Sequence, residues 1–225
     1  MNLANVVPWG RSLKEYQAMF ELSNDDLNKK ILGCGDGPAS FNAEATEVGC
    51  QVISCDPVYQ FKVDEVRRRI GEVYPEIMAK MQQAAVSYVW DSFNSVEHLG
   101  EVRMEAMSRF LSDFDAGYQQ GRYVSASLPM LPFSDSKFDL ALCSHFLFLY
   151  SDHLDRAAHL ASMRELCRVA SEVRVFPVVS LDGKISKHLD SVMAGLSADG
   201  IAVSLQPVSY RFQKGATEML VAKSA

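Results

Sequence analysis

Three glycines at 33, 35 and 37 sit in the run "ILGCGDGPASF", between an apolar pair and a proline. Glycines this dense permit positive φ and let a ligand or another backbone approach closely. Asp56 follows about 20 positions after the loop, at the end of a second apolar run, "CQVISCDP". At this spacing a carboxylate can accept hydrogen bonds from ribose hydroxyls. A phosphate-binding P-loop needs Lys followed by Ser or Thr after its glycines, and this chain has neither there. A dinucleotide fingerprint needs its third glycine one position later, where Pro38 stands with no N–H to offer a pyrophosphate. The G-x-G-x-G form suits an adenosine-type ligand without a phosphate; the alternative is a tight strand-to-helix turn that binds nothing.

These residues need strands to present them. Residues 28–34 read as a short strand running into the glycine loop, and residues 38–49 as a helix with Pro38 in its first turn and Gly49 as its stop. Residues 50–57 read as a second strand. "RYVSASL" reads as a third and "FDLALCS" as a fourth, apolar almost throughout as a parallel strand covered on both faces should be. Helices are expected at residues 12–22, with Ser12 as N-cap, and at 154–170 and 186–200. A fifth strand, "EVRVFPVV", needs Pro177 at an edge, end or bulge. Residues 201–212 and 217–225 read as two terminal strands joined by the turn "QKGA". The order predicts one α/β domain over residues 1–225. Its sheet is open, mostly parallel and twisted, with seven strands, the last antiparallel, and helices on both faces.

Residues 58–121 are too long for an ordinary strand-helix-strand step and are read as a helical insertion or lid. It contains two helical stretches, the first broken by Pro75. Tyr74, Met78, Met81, Tyr88, Trp90 and Phe93 could wall an apolar pocket there, and Arg67, Arg68 and Arg69 read as a solvated helix face.

The bulk composition narrows the class. The chain has 225 residues, 48% hydrophobic and 22% charged, with a net charge of −6. An acidic balance disfavours non-specific nucleic-acid binding. Five cysteines show no metal-ligand spacing and read as reduced thiols, which points to the cytoplasm. Neither a signal peptide at residues 1–16 nor a membrane span is expected.

With "LPFSDSKFDLALCSH" added to the glycine loop and "ISCDP", the chain resembles the class I S-adenosylmethionine-dependent methyltransferases. The resemblance places the cofactor loop at Gly33, Cys34, Gly35 and Gly37, the ribose carboxylate at Asp56 beside Pro57, and the adenine contact at Ser127 and Leu128. Ser144 and His145 would line the methionine end. An N-terminal helix would fold over the cofactor, with Arg11 pairing with the methionine carboxylate and Tyr16 covering the pocket. The chain departs from the family at Ile31 and Ser127, where the family often has acids; Asp36 is available to compensate. The resemblance implies in-line methyl transfer from S-adenosyl-L-methionine, here to a small-molecule acceptor, with His145 as the candidate general base at a near-neutral pKa and Tyr150 and His153 behind it. The departures keep open a non-catalytic binding or scaffold protein. An NAD-dependent oxidoreductase is disfavoured by the glycine spacing.

Overall fold

In a computed structural model that describes residues 7–224, the expected layers form around one seven-stranded sheet. Residues 1–6 and Ala225, which include part of the leader reading and the end of the last expected strand, lie outside the described residues. The strands are β1 (Lys30–Cys34), β2 (Gln51–Cys55), β3 (Tyr123–Val124), β4 (Phe138–Ser144), β5 (Ala170–Phe176), β6 (Ala202–Pro207) and β7 (Glu218–Lys223), in the spatial order β3-β2-β1-β4-β5-β7-β6. All neighbouring pairs from β3 to β5 are parallel, and β7 runs antiparallel to both β5 and β6. The order reverses at β1, whose neighbours are β2 and β4, so the switch point lies at the C-terminal end of the glycine strand.

The apolar run of β4 supplies both cores. Leu140 and Leu142 join a cluster with Tyr16, Phe20, Ile31 and Phe41 on one face; Ala141 and Cys143 join Leu166, Val173 and Val192 on the other. The two-residue period of the strand makes this split, and it explains why the sequence there is not amphipathic.

The helices are α1 (Leu13–Phe20), α2 (Asn24–Leu27), α3 (Phe41–Glu47), α4 (Val63–Gln83), α5 (Val96–Gln119), α6 (Arg156–Val169) and α7 (Leu189–Ala198). Ser12 and Glu15 close a capping box on α1 as its sequence suggests. Four expectations need correction. Pro38 precedes α3, which begins at Phe41 after Ser40. Pro75 lies inside α4 without ending it; Val66, Ile70, Val73 and Met81 give that helix a buried stripe on both sides of the proline, so packing holds it together. The third strand contains only Tyr123 and Val124, because the chain then turns out over the sheet edge through a bridge between Ser127 and Met130. The last two strands are joined by residues 208–217 rather than a tight turn: the backbone of Tyr210 bonds to Ala18 and that of Val89 to Phe212. The short helix α2, built on a Ser23–Asp26 capping box, was not expected at all.

Arg67 and Arg68 lie along the outside of α4 and pair with Asp64 and Glu72, as a solvated face should, whereas Arg69 is half-buried and also pairs with Glu72.

Candidate functional site

A cavity of about 570 Å³ opens beyond the C-terminal ends of β1, β2 and β4, under α1, α4 and residues 208–217. This is where an open α/β sheet places its ligand. A smaller hollow of about 280 Å³ lies at the opposite end of the sheet, around Lys30, Gln51 and Lys137.

The floor is the glycine loop, and its shape is set by hydrogen bonds. Gly35 N–H donates to the Cys55 carbonyl at 2.9 Å. Gly37 N–H donates to Asp56 Oδ2 at 3.0 Å, and Tyr59 Oη donates to the Gly37 carbonyl at 2.8 Å. The second Asp56 oxygen accepts from Val58 N–H at 2.8 Å. Asp56 therefore holds the loop as well as lining the cavity. Its burial raises its pKa to about 6, against the pull of those two N–H donors. Gly37 has φ +56 and nothing within 4 Å of where a Cβ would be, so its surface is open for a ligand.

Gly33 has a different place from the one expected. It lies inside β1 and does not line the cavity; a Cβ there would be 1.9 Å from Asp36 Oδ2. The absent side chain leaves room for the Asp36 carboxylate to fold back over the strand. Tyr16 Oη donates to Asp36 Oδ1 at 2.7 Å, and Ser54 Oγ donates to Oδ2 at 2.6 Å. Burial, together with the nearby Asp56, raises the Asp36 pKa to about 7, while both hydroxyls oppose the shift. Ile31 precedes Gly33 on the same face of β1 and is fully buried among Phe20, Phe41 and Leu140. The loop thus brings a carboxylate to the face on which the strand lacks one.

The remaining expected residues converge. Cys34, Pro57, Ser127, Leu128, Ser144 and His145 all line the cavity, contributed by β1, β4 and the segments after β2 and β3. Arg11 enters from the segment before α1. Its Nη1 donates to the Trp9 carbonyl at 3.3 Å, while its buried Nε has no hydrogen-bond partner. Among the described residues no carboxylate makes an ion pair with Arg11. Tyr16 stacks on Phe41 with ring centres 4.0 Å apart.

His145 has φ +51, a strained value for a side-chain-bearing residue. Its Nδ1 is 3.0 Å from Ser144 Oγ, and its ring meets the edges of Phe176 and Tyr210. Burial, reinforced by Arg11 and Arg103, pushes its pKa well below the usual histidine value. The near-neutral value expected from sequence is not found: the imidazole is neutral and weakly basic. Tyr150 and His153 also line the cavity, further out.

Of the aromatic and methionine residues expected on the wall, Met81 and Tyr88 line it. Tyr74 and Met78 instead pack at Gly100, Trp90 bonds to the Ala85 carbonyl, and Phe93 is core. The wall is completed by Trp9, Ile77, Phe146, Leu149 and Phe212. Phe212 stacks on Tyr88 with ring centres 4.7 Å apart. It was read as the end of a strand, and no local pattern marks it as a wall residue.

Behind this wall lies a buried group that sequence reasoning missed. Arg103 Nη1 bonds to Glu15 Oε2 at 2.6 Å and its Nη2 to Tyr210 Oη at 3.3 Å, while Tyr210 Oη donates to Glu15 Oε1 at 3.0 Å. The signal was available: Arg103 falls in the apolar stripe of α5 with Leu99, Ala106, Met107 and Phe110.

Among the described residues no group of three or more His, Cys, Asp or Glu could hold a metal ion, and no helix is long and apolar enough to cross a membrane. All five cysteines are free.

The chain is 30% identical over 223 residues to uncharacterized protein MJ0045 of Methanocaldococcus jannaschii, covering 98% of this chain and 97% of that protein. The chain belongs to the same family as this archaeal protein. No family model matches. Solved structures with a similar sheet include magnesium protoporphyrin IX methyltransferase of Synechocystis PCC 6803 with bound SAH (TM-score 0.48, 12% identity, 90% of this chain and 73% of that one). Another is a SAM dependent methyltransferase from Aquifex aeolicus (TM-score 0.44, 13% identity, 93% and 95%). The mostly parallel seven-stranded sheet with its antiparallel β7 is the architecture expected from the sequence. Identity this low says nothing about an acceptor.

Proposed function

We propose that this protein binds S-adenosyl-L-methionine and transfers its methyl group to a small, largely apolar acceptor. The observation that carries the reading is the meeting of Arg11, Gly37, Asp56, Ser127 and His145 in one cavity from separate segments of the chain. The residues suit the cofactor. Gly37 presents open backbone, Asp56 has lone pairs left for ribose hydroxyls after accepting two N–H donors, and Ser127 and Leu128 border the adenine side. The unpartnered Arg11 Nε suits a carboxylate, since a buried guanidinium left without one is costly.

The cofactor supplies an activated methyl group, so the protein's part is to hold donor and acceptor in line and exclude water. Trp9, Met81, Tyr88, Phe146 and Phe212 offer an apolar, aromatic wall for the acceptor. A neutral His145 can accept a proton or position a hydroxyl through Ser144, but its weak basicity favours an acceptor that needs little activation. Within residues 58–121, we infer that α4 and the turn at Tyr88 act as a lid. The free cysteines support work in a reducing compartment such as the cytoplasm.

The second reading is a binding or scaffold protein that keeps the cofactor site without turnover. Ile31, buried in the core, and Ser127, a hydroxyl at the adenine side, favour it. Titration calorimetry with S-adenosylmethionine, S-adenosylhomocysteine and NAD separates the readings. Binding of the first two is expected, and binding of NAD alone would overturn the proposal. Binding of the first two without methyl transfer to any of a panel of apolar phenols, amines and thiols would favour the scaffold.

A further inference from the structure

The Asp36 carboxylate stands at the end of a hydrogen-bond chain that starts at Arg122, with the Asn42 amide in its middle also donating to the Val52 and Arg122 carbonyls. Arg122 Nη1 donates to Asn42 Oδ1 at 2.6 Å, Asn42 Nδ2 donates to Ser54 Oγ at 3.2 Å, and Ser54 Oγ donates to Asp36 Oδ2. Tyr16 Oη donates to the other oxygen. Arg122 is itself fixed by Asp113, which receives two of its N–H groups and the Tyr123 hydroxyl. Two hydroxyl donors on the carboxyl oxygens and an arginine at the far end of the chain favour an anion. Yet among the described residues no cation makes an ion pair with Asp36. A buried carboxylate with hydroxyl partners but no counter-charge is unfavourable, and Asp36 lines the cavity.

We propose that Asp36 is the counter-ion for a cationic group of the bound ligand, and that Ser54, Asn42 and Arg122 position it for that task. This rests on the cofactor reading above. The cation is an alkylammonium or a sulfonium, the two that S-adenosylmethionine carries. Asp36 then serves as the carboxylate that Ile31 does not provide, delivered from the loop over Gly33.

The other groups facing Asp36 do not compete for the role. They are Tyr16 from α1, Cys34 from β1, Cys143 from β4, Tyr59 from the turn after β2, and Asp56. Burial raises the two phenols and the Cys143 thiol above their usual values, and the contact with Cys55 together with burial raises the Cys34 thiol, so they stay neutral near pH 7, and Asp56 only adds negative charge. A ligand cation must therefore compete with a proton for Asp36. Affinity for a cationic ligand should fall as pH drops below about 7, approaching about tenfold per pH unit.

The test is calorimetry on the full chain and on Asp36→Asn with three ligands. S-adenosylmethionine carries both cations, S-adenosylhomocysteine only the ammonium, and 5′-methylthioadenosine neither. Asp36→Asn should lose about tenfold or more for a cationic ligand, lose the pH slope, and bind methylthioadenosine as the parent does, which also shows that the variant is folded. Loss for both charged ligands identifies the ammonium as the partner; loss for S-adenosylmethionine alone identifies the sulfonium. Ser54→Ala should keep the slope but move its midpoint to higher pH, an effect that a merely structural serine would not produce. Equal loss for all three ligands, or no loss for any, overturns the inference and leaves the cofactor reading intact. If the parent protein binds none of the three, the cofactor reading falls and the inference falls with it.

Discussion

Single residues in this site carry two tasks at once. Asp56 borders the cavity and also holds Gly37 N–H and Val58 N–H. Asp56→Ala should weaken S-adenosylmethionine binding by about 1–3 kcal/mol, the scale of losing hydrogen bonds to a charged group. Calorimetry checks it; unchanged affinity would mean that the ribose lies elsewhere. Asp56 was legible because a carboxylate about 20 residues after a glycine loop depends only on local spacing. The part played by Gly33 was not. Both Gly33 and Gly37 fit the same pattern, but one makes room for a neighbour's carboxylate and the other faces open space. Which of these holds depends on where Asp36 turns, and no spacing rule contains that.

At the scale of elements, three distant segments are tied around one buried ion pair. Glu15 lies on α1, Arg103 on α5, and Tyr210 on the segment between β6 and β7. Arg103→Leu would leave Glu15 buried without its partner and should cost about 3–5 kcal/mol of stability, read from the denaturation midpoint. Combining it with Glu15→Leu should recover part of that loss, because no uncompensated charge remains. Helix α1 and residues 208–217 also frame the cavity, together with α4, so ligand binding should slow amide hydrogen exchange in α4 and in residues 208–217. Exchange unchanged in α4 would count against its action as a lid. Helix α4 itself shows the reach of packing over local signals: Pro75 suggested a break, and the buried stripe from Val66 to Met81 carries the helix past it.

For the whole molecule, the electrostatics predict an unusual pH response. Asp36 and Asp56 have raised pKa values, to about 7 and about 6, so between pH 4 and 7 these two carboxyls hold protons in the folded state that they release in the unfolded chain, whereas burial lowers the pKa values of His145 and His159, which bind fewer protons folded than unfolded below about pH 6.5 and oppose them. The carboxyl contribution to stability declines as pH rises, and above about pH 6.5 the histidines no longer offset it, so the melting temperature of the unliganded protein should fall between about pH 6.5 and 8. Asp26 and Glu15, paired with Arg174 and Arg103, have lowered pKa values and act in the opposite sense. They stabilise above pH 4 and lose that contribution only in stronger acid, outside the window. Asp36→Asn should flatten that slope, and a melting temperature of the parent protein that rose between about pH 6.5 and 8 would contradict the assignment.

The sequence by itself determined the sheet, its parallel character, the glycine loop and the carboxylate of Asp56 at the cavity. Apolar runs, strand period and turn chemistry act over a few residues, and the alternation of strands and helices leaves few topologies. Only the tertiary structure decided what faces the ligand. Phe212 and Trp9 became wall, Phe93 and Tyr74 did not, and Asp36 came to lie over Gly33 on the face where Ile31 offers no charge. Those outcomes follow from how residues 208–217 and α1 pack across the open end of the sheet. Contacts of that kind join positions up to two hundred residues apart, as Glu15 and Tyr210 show, and no local period records them.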